Sequence, residues 1–114
     1  MSFYALLQRL IEAWHAGDAD RAADLFAIDA IYREAGSEPL RGREQIRENM
    51  RTFFAAGAAV HVVVGDVILN GETAFVTFTF AMRRRHGEGT RALEMGALVR
   101  FAGGCVTEWR EYRG

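Results

Sequence analysis

The chain has 114 residues, half of them apolar and a quarter charged, which suits one domain, residues 1–114, with a real core and is too short for two. Its formal charge is −1, so bulk charge draws it neither to a nucleic-acid backbone nor to an anionic membrane. All 14 basic residues are arginines, and the absence of lysine excludes Schiff-base and lysine-nucleophile chemistry. The single cysteine, Cys105, excludes an internal disulfide and a thiolate metal cluster. No apolar run approaches the roughly 18 residues that cross a bilayer. Met1-Ser2-Phe3-Tyr4 lacks the basic start of a signal peptide, so a cytoplasmic location is expected.

Residues 3–16 read as an amphipathic helix. Phe3, Leu6, Leu7, Leu10, Ile11 and Trp14 recur at three- and four-residue steps, and Gln8, Arg9 and Glu12 take the other face. Gly17 ends it, and Asp18 caps a shorter helix whose inward face is expected to be Ala22, Leu25 and Phe26. Ala30 to Arg33 reads as a short strand and 34–42 as a loop. A third helix over about 43–55 carries Ile46, Met50, Phe53 and Phe54 on one face, with Arg43, Glu44, Arg47, Glu48 and Arg51 toward solvent.

The second half reads as an antiparallel meander. A valine-rich strand runs from Val60 to Leu69, Asn70-Gly71 is a strong hairpin signal, and a strand follows over about 73–84. Gly87-Glu88-Gly89 and Gly103-Gly104 mark two further turns, around a strand over about 90–101 and before one over 105–113. The order predicts an α+β fold, with three helices from the first half packed on the concave face of a cone-shaped, curved antiparallel sheet.

Strand alternation then nominates a cavity. Val76, Phe78, Phe80 and Met82 form the more apolar row of their strand, Leu93, Met95, Ala97, Val99 and Phe101 the matching row of the next, and Thr107, Trp109 and Glu111 share a face on the last. A pocket lined by Leu10, Trp14, Phe78, Phe80, Met95, Ala97 and Trp109 suits a small hydrophobic molecule. Glu111, beside Trp109, is expected to be desolvated and raised in pKa, which suits a general acid or base; the alternative places it in water or against an arginine. Tyr32 and Glu34 sit where the loop meets the pocket mouth, as hydrogen-bond donor and candidate base, unless Glu34 pairs with Arg33 or Arg41 on the surface. His61 is a possible helper only if it points inward. The three histidines lack metal-ligand spacing, so neither metal nor other cofactor is expected. Arg83-Arg84-Arg85-His86 reads as a solvated strand end.

Element order and three stretches resemble the nuclear transport factor two-like superfamily, within it the SnoaL-like, ketosteroid isomerase-like and limonene epoxide hydrolase-like branches. These are Leu6 to Asp18, ending Ala16-Gly17-Asp18; Tyr32 to Gln45, with Gly36-Ser37-Glu38-Pro39 and Gly42-Arg43-Glu44; and Val106 to Tyr112. The resemblance implies a conical fold with a pocket at its open end and a homodimer through the outer sheet face. Ketosteroid isomerase groups would fall on Leu10, Arg33 and Ala97, none able to serve, which argues against steroid isomerisation. Of the epoxide hydrolase pattern, Tyr32, Glu34 and Glu111 have counterparts, whereas the central arginine and aspartate fall on Phe78 and Phe80. The resemblance therefore leaves two functions open: a cofactor-free isomerase, cyclase or hydrolase using a carboxylate, and a ligand-binding or accessory protein without chemistry.

Overall fold

The computed structural model describes residues 1–83 and 90–113; the expected turn at Gly87-Glu88-Gly89 and Arg84, Arg85 and His86 lie outside the described residues. Three helices, α1 (Phe3–His15), α2 (Ala19–Ala23) and α3 (Arg43–Ala55), pack against a curved, unclosed sheet. Its strands are β1 (Phe26–Arg33), β2 (Leu40–Arg41), β3 (Ala59–Asn70), β4 (Thr73–Arg83), β5 (Thr90–Ala102) and β6 (Cys105–Arg113), in the order β2-β1-β6-β5-β4-β3. All pairings are antiparallel except β1 with β6, which are parallel. The fold is α+β, as the element order required.

Helix α1 is capped by Ser2, whose hydroxyl accepts from Ala5 N–H at 3.1 Å, and its apolar stripe is buried from Phe3 to Trp14. Asp18 caps α2 through Arg21 N–H at 3.0 Å, as its position implied. The inward face expected for α2 needs correction. The helix ends at Ala23, and Phe26 opens β1 instead of closing a helical stripe. Spacing from Ala22 to Phe26 fits either reading, and a tertiary bond decides: Val106 N–H of β6 donates to Leu25 C=O at 2.8 Å, while Phe26 pairs with Val106. The strand expected from Ala30 therefore begins four residues earlier. Within the expected loop, Leu40 and Arg41 pair with Tyr32 and Ile31 to make β2.

All three arginines expected toward solvent on α3 find partners, although Arg51, beside Asp20 and Glu48, stays half exposed. Arg43 donates through Nε to Phe26 C=O at 2.8 Å. Arg47, whose side chain is only 14% exposed, reaches Asp20 at 3.0 Å, Asp24 at 2.9 Å and Glu44 at 3.2 Å, tying α3 to the short α2 segment. The meander follows its turn residues closely. Gly103 and Gly104 both take positive φ, 59° and 78°, as the tightest two-residue hairpin requires. The buried row of β4 is Ala74, Val76 and Phe78, and Phe75 on the other face is exposed. One continuous core joins these residues to α1, to Ile46 and Met50 of α3, and to Trp109 of β6. No described helix is long and apolar enough to cross a membrane.

Candidate functional site

A cavity of about 250 Å³ opens between the helices and the concave face. Its apolar wall comes from Trp14 of α1, Met50, Phe53 and Phe54 of α3, Val60 of β3, Phe80 and Met82 of β4, and Leu93 and Met95 of β5. Its polar groups come from the end of β1 and the loop after it (Tyr32, Glu34, Ser37), from Asn49 of α3, and from Glu111 and Arg113 of β6. Phe80 and Met95 line this space without filling it.

Trp109 organises the polar end from beneath. It is 1% exposed, and Trp14, Tyr32 and Phe78 surround its indole with centroids at 5.4, 6.5 and 6.2 Å. Residues 109 and 111 share a strand face, so the indole N–H reaches along β6 and donates to Glu111 Oε2 at 2.9 Å. Tyr32 Oη–H donates to the same oxygen over a longer 3.4 Å. The parallel register that sets Tyr32 beside Trp109 brings the phenol to a carboxyl 79 positions away in sequence. Neither donor engages Oε1.

Burial raises the Glu111 carboxyl from 4.5 to about 7; the Glu34 charge adds to the rise, and the Trp109 and Tyr32 bonds oppose it. Burial, followed by the charges of Glu111 and Glu34, holds the Tyr32 phenol well above its usual value, so Tyr32 remains a donor. A carboxyl balanced near neutrality, fixed through one oxygen and bordering an apolar cavity, can hold or release a proton at ordinary pH.

Of the expected lining residues, Trp14, Phe80 and Met95 border the cavity, and Glu111, Tyr32 and Glu34 join them. Leu10, Phe78, Ala97 and Trp109 do not: they are buried one layer below, where the helices press onto the sheet. His61 requires correction. Inward positions on β3 fall on Val60 and Val62, so His61 points outward, exposed, and stacks on His15 at 4.9 Å. His15 is exposed, yet its Nε2 accepts from Val62 N–H at 2.9 Å and pins α1 to β3. The described ion pairs include none between Glu34 and Arg33 or Arg41. Alternation on isolated strands could not find Ser37 and Asn49, because a loop and the flank of α3 carry them. Among the described residues no group of three or more His, Cys, Asp or Glu side chains is arranged to hold a metal ion.

Several solved structures share this architecture. A protein of ketosteroid isomerase-like fold from Catenulispora acidiphila, in complex with trimethylamine, superposes with a TM-score of 0.85 at 22% identity, covering 96% of this chain and 85% of that one. An epoxide hydrolase of the limonene epoxide hydrolase-like kind from M. tuberculosis gives 0.84 at 17% identity, over 96% and 80%. A candidate polyketide cyclase from Pseudomonas putida gives 0.85 at 21%, over 100% and 92%. These identities carry the fold and nothing finer. Among curated proteins there is no significant match. The family model for the SnoaL-like domain matches residues 7–109, nearly the whole chain, and the chain belongs to that family.

Proposed function

We propose that the cavity is an active site in which Glu111 moves a proton to or from a small, largely apolar molecule without a cofactor. The observation that carries this reading is the half-buried Glu111 carboxyl, raised to about 7, held at Oε2 and facing an apolar cavity. As carboxylate it accepts a proton from a carbon acid or from water attacking the substrate; as acid it returns that proton to the rearranged carbon or to the opened oxygen. Isomerisation, ring closure and hydrolysis are all built from those two half-steps. Tyr32 positions the carboxyl and keeps its own proton, and Glu34 stands at the mouth as a second carboxylate. The neighbours named as an epoxide hydrolase and a candidate polyketide cyclase support this class of reaction. The neighbour in complex with trimethylamine adds a small amine to the ligands worth testing. The same reading has the protein in the cytoplasm, as a dimer through the outer face of the sheet, where Val63, Phe75 and Tyr112 are exposed; light scattering measures that state.

A second reading, binding without turnover, is favoured by Leu10 and Ala97, which are sealed in the core and offer no further donor to a developing oxyanion. One experiment separates the two. The ligand that copurifies is identified by native mass spectrometry, and its conversion or deuterium uptake in D2O is followed by NMR. Proton transfer predicts turnover that Glu111→Gln abolishes while affinity persists. Turnover surviving in Glu111→Gln would remove Glu111 from the mechanism, and tight binding with no turnover in either protein would establish the second reading.

A further inference from the structure

The charge lining the cavity is unbalanced. Glu34, on the chain leaving β1, and Glu111, on β6, both border it, closely enough that the Glu34 charge is felt at Glu111 and at Tyr32. The remaining polar lining, Tyr32, Ser37 and Asn49, is neutral. Among the described residues the only cation of the lining is Arg113 at the end of β6; it is exposed, as Glu34 is, so water screens both, and the two carboxylates outnumber it by one. The opposing wall presents aromatic rings: Trp14, Phe53, Phe54 and Phe80. Ring faces attract cations and tolerate neutral apolar groups, whereas they offer an anion nothing.

We propose that the molecule this pocket takes carries one positive charge: a small organic ammonium, its apolar body against the aromatic wall and its N–H or N–CH₃ groups toward Glu34 and Glu111. The inference rests on the cavity being a small-molecule site and deepens that reading by naming the substrate class. Burial first, and the Glu34 charge in addition, keep Glu111 partly protonated near neutral pH. A neutral ligand leaves that arrangement as it is, and an anion worsens it. An ammonium neutralises it, draws the Glu111 carboxyl down, and releases a proton on binding near neutral pH. With such a ligand bound, Glu111 is ionised and enters the reaction as the base.

The test uses three soluble molecules of nearly one shape and three charges: benzylammonium, benzyl alcohol and benzoate, titrated into the full chain by calorimetry at about pH 8. Benzylammonium is expected to bind at least about tenfold more tightly than benzyl alcohol, with benzoate weakest. Repeating the benzylammonium titration at about pH 6.5 in buffers of different ionisation enthalpy should show proton release. Glu34→Gln, at an exposed position that leaves the core untouched, should shrink the preference for the cation to about threefold or less. Equal affinity for benzylammonium and benzyl alcohol, or a preference for benzoate, would overturn the charge assignment and leave the pocket intact. Binding of none of the three would overturn both this inference and the small-molecule reading beneath it.

Discussion

The raised Glu111 carboxyl makes this site a liability for folding, and that liability can be measured. The unfolded chain titrates the group at its ordinary 4.5, whereas the folded protein holds the proton up to about 7. Between those values the folded state binds more protons, so stability falls as pH rises through the window and is flat above it. At 1.36 kcal/mol per pH unit the full penalty is about 3 kcal/mol, and water reaching the half-buried carboxyl trims it to about 2–3. Glu111→Gln removes the titration while keeping an oxygen to accept from Trp109 N–H and Tyr32 Oη–H. Urea unfolding of both proteins at several pH values from 4 to 8 is the assay. The variant should match the natural protein near pH 4 and exceed it by about 2–3 kcal/mol at pH 8. Subtracting one curve from the other cancels the titrations the two proteins share. Asp20, held below its usual range by Arg47 and Arg51, stabilises throughout this window and loses that contribution only in stronger acid. Parallel curves for the two proteins would refute the claim that Glu111 is desolvated.

Three further outcomes follow from named contacts. Trp109→Phe deletes the donor that opposes the rise at Glu111, so a carboxyl-resolved ¹³C NMR titration should show its midpoint moving above about 7, and the lost ring should cost about 1–3 kcal/mol in urea unfolding. His15→Ala removes the acceptor for Val62 N–H on the edge strand β3, so hydrogen exchange at Val62 should accelerate with a loss of about 1 kcal/mol, and His15→Gln, which offers a side-chain oxygen, should recover part of it. A Cβ at Gly65 would sit 2.6 Å from Thr77 Oγ1, the atom that accepts from Asp66 N–H at 2.7 Å across the irregular β3–β4 pairing. Gly65→Ala should therefore cost about 1–2 kcal/mol in thermal unfolding, and less in a Thr77→Ala background, where the obstacle is already gone.

What could be read along the chain was whatever local chemistry decides. The stripe from Phe3 to Trp14, the Asp18 cap and Gly103-Gly104 each specify their own geometry within a few residues, whereas the hairpin signalled by Asn70-Gly71 turns one residue later, at Gly71 and Glu72 between the paired Asn70 and Thr73. The failures lie where a distant partner decides. Leu25 and Phe26 fit a helix until Val106 arrives alongside, and Leu40-Arg41 is a strand only because Ile31 and Tyr32 lie opposite. The site divides in the same way. Period-two alternation places Glu111 on the face of Trp109, which is enough to forecast desolvation. It cannot tell a side chain that borders the cavity from one sealed beneath it, and so Leu10, Phe78, Ala97 and Trp109 were expected one layer too high. For His61 alternation alone was ambiguous, and only the burial of Val60 and Val62 against the helices shows which β3 positions face inward.

The parallel pairing of β1 with β6 is the part of the architecture that makes the site. Tyr32 lies opposite Trp109 and Arg33 opposite Arg110, so both chains run toward the cavity mouth in step, and the next position on each is a carboxylate-bearing side chain or leads to one: Glu34 past β1 and Glu111 on β6. An antiparallel pair would carry the two strands in opposite directions beyond their shared register; here both acids arrive at the same end. That geometry sets up the last prediction. If the two carboxylates share the cavity, removing the Glu34 charge must let the Glu111 proton leave more readily. Glu34→Gln should bring the Glu111 midpoint, followed by ¹³C NMR, down from about 7, the reverse of the Trp109→Phe result. The residual elevation in Glu34→Gln measures burial net of the Trp109 and Tyr32 bonds, and the difference measures the repulsion that a cationic ligand would relieve. An unmoved midpoint would mean that Glu34 faces water rather than its fellow acid, and the expectation of a positively charged substrate would fall with it.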